Sequence, residues 1–169
     1  GAASIVRAVK KESGTIPVFV KLTPNVPNIG EIARACVDAG ADGITAINTL
    51  GPGMAIDLRS RTPILAAKKG GLSGPALKPI AVRCIADCFQ ATEGKVPIIG
   101  TGGVHTGEDA LELLMAGASL IGIATAVWKR GEEVFRKVCE EMEEWCEGEG
   151  VRDIQEVIGA ANCLSRDSS

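Results

Sequence analysis

The chain has 169 residues, with 18 basic side chains against 21 acidic ones and a net charge of −3. That balance gives no electrostatic case for nucleic acid or for an anionic membrane surface, and no apolar run approaches the roughly 20 residues of a membrane-spanning helix. A hydrophobic fraction of 46% with 21 glycines and 8 prolines fits a turn-rich globular domain, but the length falls well short of the roughly 250 residues of a complete (β/α)8 barrel.

The pattern alternates strand and helix. Residues 5–11 read as the end of a helix stopped at Ser13-Gly14, and residues 17–22 (PVFVKL) as a short buried strand. Thr23-Pro24-Asn25 turns the chain into a helix over 29–39, with Ile32, Ala33, Cys36 and Val37 on one face and Gly40 as its stop. A second strand covers 43–48. The stretch from 49 to 75 reads as a long irregular loop, of a length that usually serves function. A helix over 77–91, a strand over 96–100 and a helix over 106–116 follow, the last with Glu108 and Asp109 in its first turn. A fourth strand covers 120–124. An acidic amphipathic helix over 131–148, a short helix over 151–158 and a polar tail over 163–169 complete the chain.

Apolar strands alternating with helices predict a parallel sheet covered on both faces, with right-handed crossovers. Two α/β architectures fit: a doubly wound open sheet, or four units of a (β/α)8 barrel. Cysteines stand at 36, 84, 88, 139, 146 and 163, mostly among helical apolar neighbours, and read as reduced, mostly buried thiols. Cys84 and Cys88 share a helix face, but no second pair has zinc spacing and the only histidine is His105, so no metal centre is expected.

Both architectures gather ligands at the carboxyl ends of the strands. Those ends are Lys21, then Asn48-Thr49, then Thr101-Gly102-Gly103, then Thr125: a cation, an amide, hydroxyls and a diglycine on one rim. The diglycine, followed by a helix starting near Thr106, fits an anion cradle of bare backbone N–H groups aided by the helix dipole; plain turn glycines are the alternative. Lys21 serves either as a fixed cation beside an electron-accepting ring or substrate anion, or as half of a structural ion pair. Asn48 and Thr49 suit a planar ligand with carbonyl and N–H groups, or else cap the loop. Gly70-Gly71-Leu72-Ser73-Gly74-Pro75 is a second glycine-rich turn but matches neither the P-loop nor the dinucleotide fingerprint. His105 reads as a solvated or capping side chain, the glutamates between 140 and 149 as a solvated helix face, and Trp128 and Trp145 as packing residues.

The ordered runs Val20-Lys21-Leu22-Thr23-Pro24-Asn25, Ala39-Gly40-Ala41-Asp42-Gly43, Ile47-Asn48-Thr49, Gly53-Met54-Ala55-Ile56-Asp57, Gly70-Gly71-Leu72-Ser73-Gly74-Pro75 with Ala76-Leu77-Lys78-Pro79, and Pro97-Ile98-Ile99-Gly100-Thr101-Gly102-Gly103-Val104 closely resemble the C-terminal half of class 1 dihydroorotate dehydrogenases. The class 1B catalytic subunit is the best match, and the closing segment over 151–162 looks like an archaeal version. A dihydropyrimidine dehydrogenase domain is similar too, but Gly53-Met54-Ala55-Ile56-Asp57 favours the orotate enzymes.

The resemblance implies a flavin mononucleotide (FMN) (β/α)8 barrel that oxidises dihydroorotate to orotate in pyrimidine biosynthesis, in the cytoplasm. It implies that Lys21 sits beside the flavin ring, that the Ile47 backbone contacts the ring, that Asn48 and Thr49 hold the pyrimidine, and that Gly74, Gly102, Gly103, Ala124 and Thr125 surround the flavin and its phosphate. It also implies an oligomer and, for class 1B, a partner subunit with FAD and an iron–sulfur cluster that passes electrons to NAD. Ala124 replaces a family glycine and adds a methyl at the phosphate contact. The four units match the fifth to eighth of the barrel, over residues 1–162. The family's first four strands, and the mobile loop bearing its cysteine base, have no counterpart here. Binding without turnover, by a half-barrel that holds FMN or another phosphate, is the alternative expectation.

Overall fold

The computed structural model describes residues 1–162. The polar tail and Cys163 lie outside the described residues. The chain runs α1 (Ala2–Ser13), β1 (Phe19–Leu22), α2 (Ile29–Asp38), β2 (Gly43–Ala46), β3 (Leu50–Gly53), β4 (Ile56–Asp57), β5 (Thr62–Pro63), β6 (Gly70–Leu72), α3 (Lys78–Thr92), β7 (Ile98–Thr101), α4 (Gly107–Met115), β8 (Leu120–Gly122), α5 (Thr125–Arg130) and α6 (Val134–Glu149), with 3-10 turns at Pro75–Leu77 and Ile154–Glu156.

The principal sheet has the order β1-β2-β7-β8, and every neighbouring pair is parallel. The order follows the chain with no reversal, so there is no topological switch point. Same-handed crossovers between strands laid down in sequence place the helices on one face. The helices accordingly pack in a row: α1 on α2, α2 on α3, α3 on α4, α4 on α6. This decides between the two predicted architectures in favour of four units of a barrel.

The core lies between that row and the sheet. Ile44 of β2, Ile98 of β7, Ile85 of α3, Leu113 of α4 and Val134 of α6 are fully buried there. Two helix starts are fixed locally by side chains. Asn28 Oδ1 accepts from Glu31 N at 3.1 Å at the start of α2. Thr106 and Asp109 form a reciprocal capping box at the start of α4.

Coverage on both faces is not observed. Residues alternate along each strand, so Phe19 and Lys21 share the face opposite the helices, and register places Lys21 beside Thr45, Thr45 beside Ile99 and Ile99 beside Leu120. Phe19 is 40% exposed and Leu120 56% exposed, because the described residues put no layer over that face. Strand 1 is therefore half-buried, not buried throughout.

The stretch 49–75 is also more ordered than expected. It forms two antiparallel ribbons, β3 with β6 and β4 with β5. Their sequences are rich in Gly and Pro and lack alternation, so no strand signal shows. The glycine-rich turn at 70–72 is itself a strand of this ribbon. Of the thiols, Cys36, Cys84 and Cys88 are buried, while Cys139 is exposed and Cys146 half-buried; all five are free. Burial pushes the Cys88 thiol up to about 12, so it is an inert packing group. Trp145 packs on the core's edge, but Trp128 is 93% exposed on the outer side of the short α5 and is not a packing residue.

Leu113→Ala should lower unfolding free energy by about 2–5 kcal/mol, since it empties a fully buried site among well-packed neighbours. Urea unfolding measures this. Glu144→Ala, at an exposed position of α6, should change it by no more than about 0.5 kcal/mol.

Candidate functional site

The carboxyl ends of the four parallel strands surround one cavity of about 120 Å³. Every residue singled out in the sequence lines it: Lys21 from β1; Ile47, Asn48 and Thr49 after β2; Gly74 before α3; Gly102 and Gly103 after β7; Ala124 and Thr125 after β8. Thr101, named with the strand ends, lines it as well; Ser73, Val104 and His105 line it too, and these were not singled out as ligand contacts.

Backbone bonds set the geometry. Ile47 N donates to Thr101 O at 2.9 Å and Asn48 N to Leu22 O at 2.8 Å, so the turn after β2 is tied to both neighbouring strand ends. The Ala46–Ile47 peptide is cis. Ribbon strand β6 closes over Thr49: a Cβ at Gly71 would stand 2.0 Å from Thr49 Oγ1, so only glycine permits this approach. Thr125 Oγ1 donates to Ser73 Oγ at 3.3 Å and links the strand-8 end to the segment before α3.

The polar groups on the rim are free to meet a ligand. Among the described residues Lys21 has no ion pair. Its ammonium stands on the uncovered face of an edge strand, not in an apolar interior. Nor do the Asn48 amide and the Thr49 hydroxyl donate to or accept from any described side chain or backbone group. The N–H groups of Gly103 and Ala124 likewise have no acceptor among the described residues.

The anion cradle differs from the expected one in a specific way. The N–H groups at the start of α4 do not face a ligand. Asp109 Oδ2 takes those of His105 at 2.8 Å and Thr106 at 3.0 Å, Thr106 Oγ1 takes that of Asp109 at 3.3 Å, and Glu141 Oε2 takes that of Gly107 at 2.6 Å. Two protein carboxylates thus already satisfy the positive end of this helix. The donors left for an anion include those of Gly103, in the loop after β7, and of Ala124, the N-cap of α5. Gly103 itself has a positive φ of 82°, and a Cβ there would fall 2.8 Å from Lys78 N, so the loop lies directly on the start of α3.

Lys78 Nζ pairs with Asp109 Oδ1 at 2.7 Å and Glu112 Oε1 at 2.5 Å beneath this loop. Burial raises the Asp109 carboxyl, but Lys78 and the N–H groups of His105 and Thr106 outweigh it and hold it below its ordinary value. His105 Nδ1 lies 3.1 Å from Gly103 O, a contact that requires Nδ1 to carry the proton because a carbonyl only accepts. His105 Nε2 is buried without a partner. Glu141, read in the sequence as part of a solvated face, is half-buried and bonded to Gly107 and Arg130. Neither it nor Arg130 carried a sequence signal.

Three larger cavities lie elsewhere: a polar groove of about 690 Å³ between α2 and α3, an apolar one of about 490 Å³ beside β1 and α1, and one of about 480 Å³ between α4 and α6, lined by Thr106, Glu108, Glu141, Glu144 and Trp145. None has free backbone donors converging from several strand ends.

A family model for dihydroorotate dehydrogenase matches residues 2–146. The chain belongs to the dihydroorotate dehydrogenase family. It is 50% identical over 158 residues to the dihydroorotate dehydrogenase B (NAD(+)) catalytic subunit of Methanocaldococcus jannaschii, covering 94% of this chain and 50% of that protein. The subunit of the same name from Geotalea uraniireducens is 49% identical over 159 residues, covering 94% and 51%. The crystal structure of the Eimeria tenella dihydroorotate dehydrogenase with ferulenol superposes with a TM-score of 0.78 at 28% identity, covering 95% of this chain and 48% of that one. The chain thus spans about half the length of the curated relatives it matches, and its α/β fold with a parallel sheet is that of the family's barrel.

The Asp109 carboxylate should make acid stability depend on this site. Its folded pKa is lowered, so its contribution is complete above the unfolded value of about 3.9 and is lost as pH falls through the lower folded value. Below about pH 4, Asp109→Asn should show a shallower fall of unfolding free energy with pH than the parent, as read from urea midpoints across an acid series.

Proposed function

We propose that this chain carries the flavin-phosphate cradle and part of the pyrimidine site of an FMN-dependent dihydroorotate dehydrogenase, which oxidises dihydroorotate to orotate in pyrimidine biosynthesis. The observation that supports this most is the convergence of an unpaired Lys21, a free Asn48-Thr49 pair and free N–H groups at Gly103 and Ala124 on one cavity. The donor set fits the group: a dianionic phosphate needs bare N–H donors, an electron-rich ring needs a nearby cation, and a pyrimidine needs paired donors and acceptors. FMN, when bound, supplies the two-electron acceptor for the substrate's hydride.

The residues divide the work by chemistry. Gly103 and Ala124 donate backbone N–H groups to the phosphate, with Thr125 adding a hydroxyl and Gly74 and Gly102 shaping the walls. The Lys21 ammonium stabilises negative charge on the reduced ring, and its place on β1, in register with Thr45, keeps it above the sheet. Ile47, 2% exposed, gives a rigid wall for the ring. The Asn48 amide and Thr49 hydroxyl orient the pyrimidine's carbonyl and N–H groups.

A cavity of about 120 Å³ is smaller than the roughly 300–1,000 Å³ of a pocket enclosing a drug-sized ligand. The described residues therefore surround the phosphate and one edge of the ligand, not all of it. No residue among those lining the cavity is placed as the general base that removes the substrate's proton. We therefore assign binding to this chain and expect it to show no turnover by itself. The names of its relatives, catalytic subunits of an NAD(+)-linked enzyme, support a partner subunit; FAD and an iron–sulfur cluster in that subunit, and a cytoplasmic setting, belong to the same proposal. Among the described residues no helix is long and apolar enough to cross a membrane.

Flavin titration tests the reading. The chain should quench FMN fluorescence at lower concentration than it quenches riboflavin, which lacks the phosphate. Gly103→Val should remove that preference, because a branched side chain fits neither the positive φ nor the contact with Lys78. Lys21→Met should weaken both flavins alike. Dihydroorotate oxidation by the chain alone, with FMN and a dye acceptor, would overturn the assignment of binding without a base.

A further inference from the structure

The cradle is made of two loops on different strands, and its separation must be fixed for one anion to touch both. One loop, after β7, presents Gly103; the other, after β8, presents Ala124 and Thr125. Helix α5 starts at Thr125 in the second loop and ends at Arg130. At that far end the Arg130 guanidinium turns back to the first loop, where Nη1 donates to His105 O. Its other terminal nitrogen, Nη2, pairs with Glu141 Oε1 at 2.5 Å. Glu141 Oε2 accepts from Gly107 N at 2.6 Å, at the start of α4. One planar guanidinium and one carboxylate thus join the end of α5, the start of α4 and the middle of α6 around the outside of the cradle.

On its opposite side the same loop residue is held again, its N–H by Asp109. Both polar backbone groups of His105 are therefore anchored by charged side chains, two residues beyond Gly103. His105 in turn reaches back to Gly103, its Nδ1 lying 3.1 Å from Gly103 O, so the residue that Arg130 and Asp109 anchor is tied directly to the Gly103 carbonyl. Resting on the proposed function of this cavity, we infer that Arg130, backed by Glu141, is a positioning residue: it sets the distance between the two halves of the phosphate cradle and holds Gly103 N–H toward the anion. It touches no ligand itself.

The fork geometry matters here. Arg130 makes its two contacts from two nitrogens of one plane, which a lysine ammonium cannot reproduce. Glu141 holds Arg130 above its ordinary value, and Arg130 first, then Gly107 N–H, keep the Glu141 carboxyl below its own against the opposing effect of burial. Both groups are charged at neutral pH.

The test uses the whole chain and three variants: Arg130→Met, Arg130→Lys and Glu141→Gln. Affinities for FMN and riboflavin are measured side by side, with amide spectra recorded for each protein. Arg130→Met should weaken FMN binding on the order of tenfold, as misplacement of a preorganised site does, and leave riboflavin unchanged. Arg130→Lys should not rescue it. Glu141→Gln, which keeps the shape and one acceptor, should fall between. The amide signals of Gly103 and Ala124 should move in Arg130→Met while those of β1 stay in place.

An equal loss for both flavins would show a general structural role and overturn the inference, as would full FMN affinity in Arg130→Met. A parent chain that binds FMN no more tightly than riboflavin would refute the phosphate cradle itself. In that case unmoved Gly103 and Ala124 amides in Arg130→Met would overturn the clamp separately, since that readout needs no ligand.

Discussion

Everything in this molecule depends on an uninterrupted parallel register through β1, β2, β7 and β8. Because the order never reverses, all helices fall on one face and all carboxyl ends fall on one rim. Lys21, Thr45, Ile99 and Leu120 stand side by side in that register, so the rim one step above them is fixed by hydrogen bonds of the sheet. A slip of one residue would turn each of these side chains into the core. The buried Ile44 opposes such a slip, because it would have to change places with Thr45 and bring a hydroxyl into the core.

The site is held from outside by charge and from inside by close packing. Beneath the diglycine loop, Lys78 from α3 meets Asp109 and Glu112 from α4. Beyond it, Arg130 and Glu141 join α5, α6 and α4. These pairs are partly exposed, and such pairs add little to stability individually. Their effect is geometric. They occupy donors at the start of α4 and leave those at Gly103 and Ala124 free, so an anion is met by the loop after β7 and the segment leading into α5, and not by the start of α4.

Much of this was legible in the sequence. Short apolar runs separated by helical periodicity give the four βα units, and the carboxyl-end rule then names Lys21, Asn48, Thr49, Thr101, Gly102, Gly103 and Thr125 as one rim. The family motifs add Ile47, Gly74 and Ala124, and all of these line the cavity. What was not legible follows from long-range contact. Glu141 reaches Gly107 from 34 residues away and Arg130 reaches His105 from 25 residues away; neither spacing has a local pattern. The ribbons of residues 50–72 hide because glycine and proline carry their pairing. The uncovered sheet face hides because an apolar strand has the same composition whether one face is covered or two, and Trp128 because a six-residue helix is too short to show a periodic face.

An amide-resolved titration of the whole chain with FMN addresses the central claim most directly. If the strand ends hold the flavin phosphate, the signals of Gly103, Ala124 and Thr125 shift first and saturate together, with Asn48 following. Shifts confined to Asn28, Glu31, Arg34 and Asp87, in the larger groove between α2 and α3, would contradict it.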